Sequence, residues 1–182
     1  MWHLTKVERF HLYRDADSHP LYATLCARHP DGRKEFRWMC FGRLKSGEAP
    51  RWHYKAPPEP RPLYGLHELA LRPSAPVLVV EGEQTAETLH LDPDFPYVAV
   101  TSPGGAANPH KADWSPLMGC NVTIWPDNDP PGLDYAERVK CLCWKAGALS
   151  VAVVNVEGLP TKWDLADSLS APEFQKGLEV TP

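Results

Sequence analysis

The sequence predicts an α/β fold, in which a mainly parallel sheet of roughly four strands is flanked by helices and preceded by a small β-rich extension. From residue 76 onward, short apolar runs alternate with segments of helical character. Such alternation with short connections is typical of a parallel sheet with right-handed crossovers. Before residue 56, short runs rich in aromatic residues are separated by turn residues, which favours antiparallel strands.

The N-terminal extension is predicted to be a meander with strands over 10–14, 21–26 and 34–39. Arg and Lys alternate there with the aromatic residues Phe36 and Trp38. This interleaving suits a surface for single-stranded nucleic acid, where bases stack on aromatic rings and cations contact phosphates. A half-buried antiparallel sheet with its polar face in water explains the same pattern. Both interpretations stay open on the sequence alone.

A proline-rich segment separates the two halves. Residues 56–62 carry four prolines, which predicts an extended and fairly stiff connector. A short helix is expected over 63–70. We therefore divide the chain into a β-rich extension over 1–56, a linker with a short helix over 57–72, and an α/β domain over 73–182.

The α/β part is predicted to contain strands over 77–80, 97–101, 121–125 and 149–154, since each run is short, apolar and bounded by turn residues. Helices are expected over 83–90, about 111–117 and 133–146. The last of these is the clearest, because Tyr135, Val139 and Leu142 form an apolar stripe at helical spacing and Gly147 ends it.

Acidic residues follow two of these predicted strands. Glu81 comes directly after the run 77–80, and Asp127 and Asp129 follow the run 121–125. Ligands bind at the carboxyl edge of open α/β sheets, and carboxylate oxygens suit Mg²⁺ or Mn²⁺. A divalent-metal site is therefore expected, and such sites commonly serve phosphate chemistry. The alternative is that Glu81 is an ordinary loop acid and that Asp129 only caps the next helix.

A strand ending in Glu81-Gly82, followed by a second strand ending in Asp127-Asn128-Asp129 with Gly132 three residues later, resembles the TOPRIM domain. Bacterial-type primases, type IA and type II topoisomerases and some nucleases share this domain. The resemblance extends over residues 73 to 169 and implies a Rossmann-like core. It is strongest to primases and primase-helicases of phages, prophages and plasmids. Two prolines between Asp129 and Gly132 depart from the usual pattern.

The resemblance implies roles for the acids and for the two glycines. Glu81 would act as general acid or base or as a metal ligand, and Asp127 and Asp129 would bind Mg²⁺ or Mn²⁺. Gly82 and Gly132 would serve as structural turns.

Other residues are candidates for contacts with phosphate or nucleic acid. Gly104 and Gly105 follow the second predicted strand, where paired glycines permit close backbone approach to a phosphate, and a purely structural turn is equally compatible. Lys111 lies at the start of the next predicted helix. The later pair Lys162 and Asp164 resembles a lysine-aspartate pattern of primase-type TOPRIM domains, although Asp164 could instead cap a helix.

Charge is distributed unevenly along the chain. The net charge is −4, but residues 1–70 carry 12 Lys and Arg against 8 Asp and Glu, so the acidic excess lies in the remainder. The basic half could contact phosphates, although a plain solvated surface explains it equally. The sequence lacks a long apolar run, so we expect a cytoplasmic protein that does not enter a membrane.

The resemblance implies a metal-dependent nucleotidyltransferase, most specifically a DNA primase of a mobile element that synthesises RNA primers on single-stranded DNA from nucleoside triphosphates. A replicative helicase, or further domains of a longer protein, would be its partner. A TOPRIM nuclease that hydrolyses DNA or RNA is the first alternative. A non-catalytic module that binds nucleic acid or a partner protein is the second.

Overall fold

The computed structural model describes residues 6–160, together with Leu165 and the short strand Val180–Thr181. These residues form two sheets. The first is antiparallel and its four strands follow chain order: β1 (Lys6–Arg14), β2 (Pro20–Arg28), β3 (Lys34–Gly42) and β4 (Arg51–His53). The predicted strands of the meander are confirmed, and each is longer than the sequence indicated.

The second sheet has the strand order β6-β5-β7-β8-β9, and every pairing is parallel except that of β9. Its elements, in chain order, are α1 (Leu66–Leu71), β5 (Val77–Val79), α2 (Glu83–His90), β6 (Val98–Val100), β7 (Asn121–Ile124), α3 (Pro130–Ala146), β8 (Ser150–Val154) and β9 (Val180–Thr181). The predicted α/β class with four parallel strands and flanking helices is confirmed.

One predicted helix is wrong. The segment 111–117 contains no α-helix; two 3₁₀ turns, Pro109–Lys111 and Ser115–Leu117, flank an irregular stretch. Pro116 has no N–H to donate into a helix. Asp113 accepts instead a hydrogen bond from the backbone of Ser115 at 3.0 Å, which favours a turn.

The two sheets pack against each other through tyrosines. Tyr13 and Tyr22 of the antiparallel sheet are fully buried and stack with ring centroids 4.1 Å apart. They belong to one apolar cluster with Tyr64, which lies just before α1, and with Leu78 of β5. A separate cluster fills the space between α3 and the parallel strands. The first boundary that we assigned, at residue 56, stays a prediction.

Within the described residues, no helix combines the length and the apolar character that crossing a membrane requires.

Candidate active site

Glu81 and Asp127 lie together at the carboxyl edge of the parallel sheet. Strands β5 and β7 are neighbours in register, with Val79 opposite Ile124, so the residues that follow them leave the sheet side by side. The side-chain Oε1 of Glu81 accepts a hydrogen bond from the backbone N–H of Asp127 at 2.8 Å. This bond fixes the Glu81 carboxylate across the gap between the two strand ends.

Gly132 makes room for this arrangement. It lies in the first turn of α3 and is buried, and a Cβ at this position would overlap Glu81 Oε1 and the backbone oxygen of Asp127. Gly82, in contrast, has ordinary extended backbone angles and open space around it. Of these two glycines, only Gly132 is therefore required by close packing at the strand ends that carry Glu81 and Asp127, which we call the acidic edge.

Asp129 begins α3 as its N-cap. Its Oδ1 accepts a hydrogen bond from the N–H of Gly132 at 2.9 Å, and its own N–H donates to the backbone oxygen of Asp127 at 2.8 Å. Pro130 and Pro131 fill the first helical positions, where a missing N–H costs nothing because the helix leaves those groups unpaired. The two prolines that depart from the TOPRIM pattern are thus compatible with the start of this helix.

The three acids do not converge as a preformed metal cage. In the described part of the chain, the one trio with all ligand atoms within 4.8 Å of one another is Asp15, Asp17 and His19, on the mostly exposed β1–β2 hairpin. Glu81 and Asp127 offer carboxylates at a shared edge. This suits Mg²⁺, which usually takes one or two protein carboxylates and completes its shell with water and substrate phosphates.

Behind the acids lies Tyr135 of α3, which is completely buried. Its hydroxyl is 3.1 Å from Ser102 Oγ and 3.4 Å from the backbone oxygen of Val80. Burial raises the pKa of Tyr135 to about 12, and its hydrogen bond with Ser102 works in the opposite direction. The phenol therefore stays protonated at neutral pH.

The glycine loop follows β6 beside the acids. Gly104 and Gly105 both have left-handed backbone angles, with φ of 90° and 64°, and Gly105 starts a 3₁₀ turn over Gly105–Ala107. From α3, Arg138 donates to the backbone oxygen of Ala106 at 2.7 Å and anchors the loop. Lys111 forms an ion pair with Glu59 at 3.3 Å. The predicted contacts of these residues with phosphate stay predictions.

A cleft of about 480 Å³ lies between the two sheets. One wall comes from the antiparallel sheet and includes Arg9, Arg37 and Trp38. The other comes from the strand ends and includes Glu81 and Gly105. The cleft therefore combines a carboxylate, a glycine loop, an aromatic ring and guanidinium groups in a space large enough for a nucleotide.

Arg61 connects the two walls. Its guanidinium lies 5.0 Å from the centre of the Trp38 ring and pairs with Glu59 at 3.0 Å. Its backbone N–H donates to the oxygen of Lys111 at 2.8 Å, which fixes the proline-rich segment over the α/β part. The sequence offered no signal for Arg61, because its place in the cleft depends on this long-range pairing.

Glu83, which lines the cleft, was also not among the site residues predicted from the sequence, although it lies two residues after Glu81. Its Oε1 accepts hydrogen bonds from the hydroxyl of Tyr13 at 2.7 Å and from Thr24 Oγ1 at 3.3 Å. Burial, followed by the charge of Glu83, raises the pKa of Tyr13 well above its ordinary value. The position of Glu83 in the sequence Glu81-Gly82-Glu83 was a signal that could have identified it.

Lys162 and Asp164 fall outside the residues that the structure describes. Their expected contacts with nucleic acid stay predictions.

No protein-family model and no curated protein matches the sequence. Solved structures of primases do match the fold. The primase fragment of the bacteriophage T7 primase-helicase aligns over 87% of this chain and 56% of its own, with 18% identity and a TM-score of 0.54. The Aquifex aeolicus primase, with its zinc-binding and RNA polymerase domains, aligns over 86% of this chain and 35% of its own, with 18% identity and a TM-score of 0.52.

A chain of a third structure matches similarly. In that structure the bacteriophage T7 lagging-strand DNA polymerase interacts with two primase domains bound to an RNA/DNA hybrid and dTTP; the match covers 87% of this chain and 68% of that one, at 19% identity and a TM-score of 0.52. The present chain spans about half of the T7 fragment and about a third of the Aquifex chain. At sequence identities this low, the structural similarity shows a shared fold and no more.

Proposed function

We propose that the α/β part is a TOPRIM domain and that the chain carries out metal-dependent nucleotidyl transfer as a DNA primase. Single-stranded DNA would be the template, and nucleoside triphosphates would be the substrates. The expected product is a short RNA primer. A replicative helicase or further domains of a longer protein remain the proposed partners.

The observation that carries this proposal is the pairing of Glu81 with Asp127 at a strand edge that opens into a cleft with arginine and tryptophan on its far wall. Carboxylates supply a metal site, guanidinium groups contact phosphates, and an aromatic face accepts a base. A primase must hold a template base, a triphosphate and a metal close together. The fold shared with primase domains supports the same interpretation.

Glu81, Asp127 and Asp129 are the residues proposed to hold Mg²⁺ or Mn²⁺. When bound, the ion would neutralise charge on the transferred phosphoryl group. Asp129 would have to hold the ion through its second oxygen, because Oδ1 caps α3. Glu81 is the proposed general acid or base.

One gel tests the proposal. The protein is incubated with end-labelled single-stranded DNA in Mg²⁺ or Mn²⁺, with and without ribonucleoside and deoxyribonucleoside triphosphates; a parallel lane carries a labelled triphosphate. Glu81→Gln runs alongside, with Glu137→Gln as a matched control, because Glu137 is exposed on α3. We expect new oligomers that require triphosphates, are lost in Glu81→Gln and persist in Glu137→Gln.

The other outcomes identify the alternatives. Shortened DNA without triphosphates, again lost in Glu81→Gln, would show a nuclease. Binding of DNA without any metal-dependent product, unchanged by Glu81→Gln and Asp127→Asn, would contradict autonomous catalysis and support a binding module.

A further inference from the structure

Tyr135 links three segments that form the acidic edge. The backbone oxygen of Val80 can only accept a hydrogen bond, so the Tyr135 hydroxyl donates to it. The same hydroxyl then accepts from Ser102 Oγ–H. Both bonds are buried, at 3.4 Å and 3.1 Å, and a single hydroxyl satisfies them in series.

The partners of this hydroxyl lie one or two residues before the site residues. Val80 precedes Glu81, and Ser102 lies two residues before Gly104. Tyr135 itself lies one helical turn beyond Gly132, which packs on Glu81. The chain from Ser102 through Tyr135 to Val80 therefore joins the end of β6, the start of α3 and the end of β5.

The core alone does not require this hydroxyl. A phenylalanine ring would fill the same space. The tyrosine hydroxyl, in contrast, needs hydrogen-bond partners, because burying an unpaired polar group is costly. The ring packs in the cluster between α3 and the parallel strands, and the hydroxyl is the part that reaches the strand ends. The hydroxyl is thus the part of Tyr135 that contacts the segments next to Glu81 and Gly104.

We propose that Tyr135 is a positioning residue, whose hydroxyl sets the spacing between the Glu81 carboxylate and the glycine loop at Gly104 and Gly105. The proposal deepens the proposed function and rests on it, since the site so positioned is the proposed metal and triphosphate site. Tyr135 itself touches neither.

The first experiment measures Mn²⁺ binding to Tyr135→Phe by electron paramagnetic resonance. Tyr22→Phe is the matched control, because Tyr22 is a comparably buried tyrosine whose hydroxyl donates to the backbone oxygen of Pro62 and not to a residue next to Glu81. We expect the Mn²⁺ dissociation constant to rise about tenfold in Tyr135→Phe, in the range typical of residues that orient ligands, and to stay unchanged in Tyr22→Phe.

A double-mutant cycle adds Ser102→Ala. If both side chains act through one chain of hydrogen bonds, the double variant should show about the same tenfold loss as Tyr135→Phe alone, because coupled residues are not additive. Independent structural damage would instead multiply the two losses. The Ser102 variant also keeps the test valid if Tyr135→Phe folds poorly.

A second readout needs no metal. Hydrogen exchange of the metal-free protein should accelerate in peptides that contain 80–83 and 102–107 of Tyr135→Phe, and not in those peptides of Tyr22→Phe. Equal effects of the two tyrosine variants on both readouts would overturn the positioning role. If the wild-type protein fails to bind Mn²⁺, the proposed metal site is wrong, and the exchange data still decide whether Tyr135 orders the edge.

Discussion

Glu81 reaches the backbone of Asp127 because position 132 has no side chain. Their shared edge follows from the two apolar runs, since parallel strands end at the same side of a sheet. The contact itself was beyond sequence reasoning. It depends on how closely α3 approaches β5, which the packing around Gly132 decides.

Replacing Gly132 with alanine should therefore destabilise the protein. Alanine normally stabilises a helix relative to glycine by about 1 kcal/mol, but here its Cβ would overlap Glu81 Oε1 and the Asp127 carbonyl. Overpacking of this kind costs about 1–3 kcal/mol, so we expect a net loss in the free energy of unfolding, measured with urea.

Gly42→Ala provides the comparison for this substitution. A Cβ at Gly42 would meet no other atom within 4 Å, and the backbone there is outside the left-handed region, so alanine should be tolerated. A Gly132→Ala protein as stable as wild type would contradict the close approach of α3 to Glu81.

At the scale of elements, the start of α3 combines a cap with a proposed metal ligand. The sequence allowed either role for Asp129, and the structure shows that the cap is made. The error over 111–117 has a similar origin. The composition of this segment is compatible with a helix. Pro109, Pro116 and the hydrogen bond from the Ser115 backbone to Asp113 favour turns instead.

Two substitutions at Asp129 separate the cap from the metal. Asparagine keeps an oxygen acceptor for the N–H of Gly132, whereas alanine removes it and should cost about 1 kcal/mol of stability. We expect Asp129→Asn to unfold near the wild-type temperature in a calorimetric scan, and Asp129→Ala to unfold earlier.

An activity assay of the same two variants tests the proposed role of Asp129 as a metal ligand. If Asp129 also binds the ion, both variants lose triphosphate-dependent product, including the stable asparagine form. Full activity in Asp129→Asn would limit Asp129 to capping.

For the whole molecule, the contact between the two sheets is the feature that sequence reasoning could not reach. Each sheet follows from its own local pattern of apolar and turn residues. The interface is formed by tyrosines whose partners lie tens of residues away in the sequence. Tyr13, for example, donates a hydrogen bond to Glu83. Nothing in the spacing of the sequence pairs such residues, and so the cleft between the sheets was not predicted.

The buried tyrosines make the fold sensitive to alkali. Burial raises the pKa of Tyr13, Tyr22, Tyr64 and Tyr135, the last to about 12. The folded protein therefore keeps protons that the unfolded chain releases near pH 10, so the free energy of unfolding falls as pH rises from about 10 to 12. Below pH 10 this stabilisation is fully present.

Parallel titrations of phenolate absorbance and circular dichroism check this expectation. The buried tyrosines should ionise together with the loss of secondary structure, and Tyr135→Phe should weaken the dependence of stability on pH. Complete ionisation in a protein that keeps its circular dichroism would contradict their burial.

Two of the arginines that line the cleft, Arg37 and Arg61, already form ion pairs within the protein. Arg37 pairs with Glu35, and Glu59 pairs with both Arg61 and Lys111. A phosphate that enters the cleft must exchange with these carboxylates as well as with salt ions. Binding of single-stranded DNA should then depend less steeply on salt than a count of the basic residues implies, and Glu59→Gln should steepen that dependence as well as tighten binding. The Glu59 carboxylate would then compete with phosphate groups for Arg61 and Lys111, and so would influence how easily a bound polyanion is released.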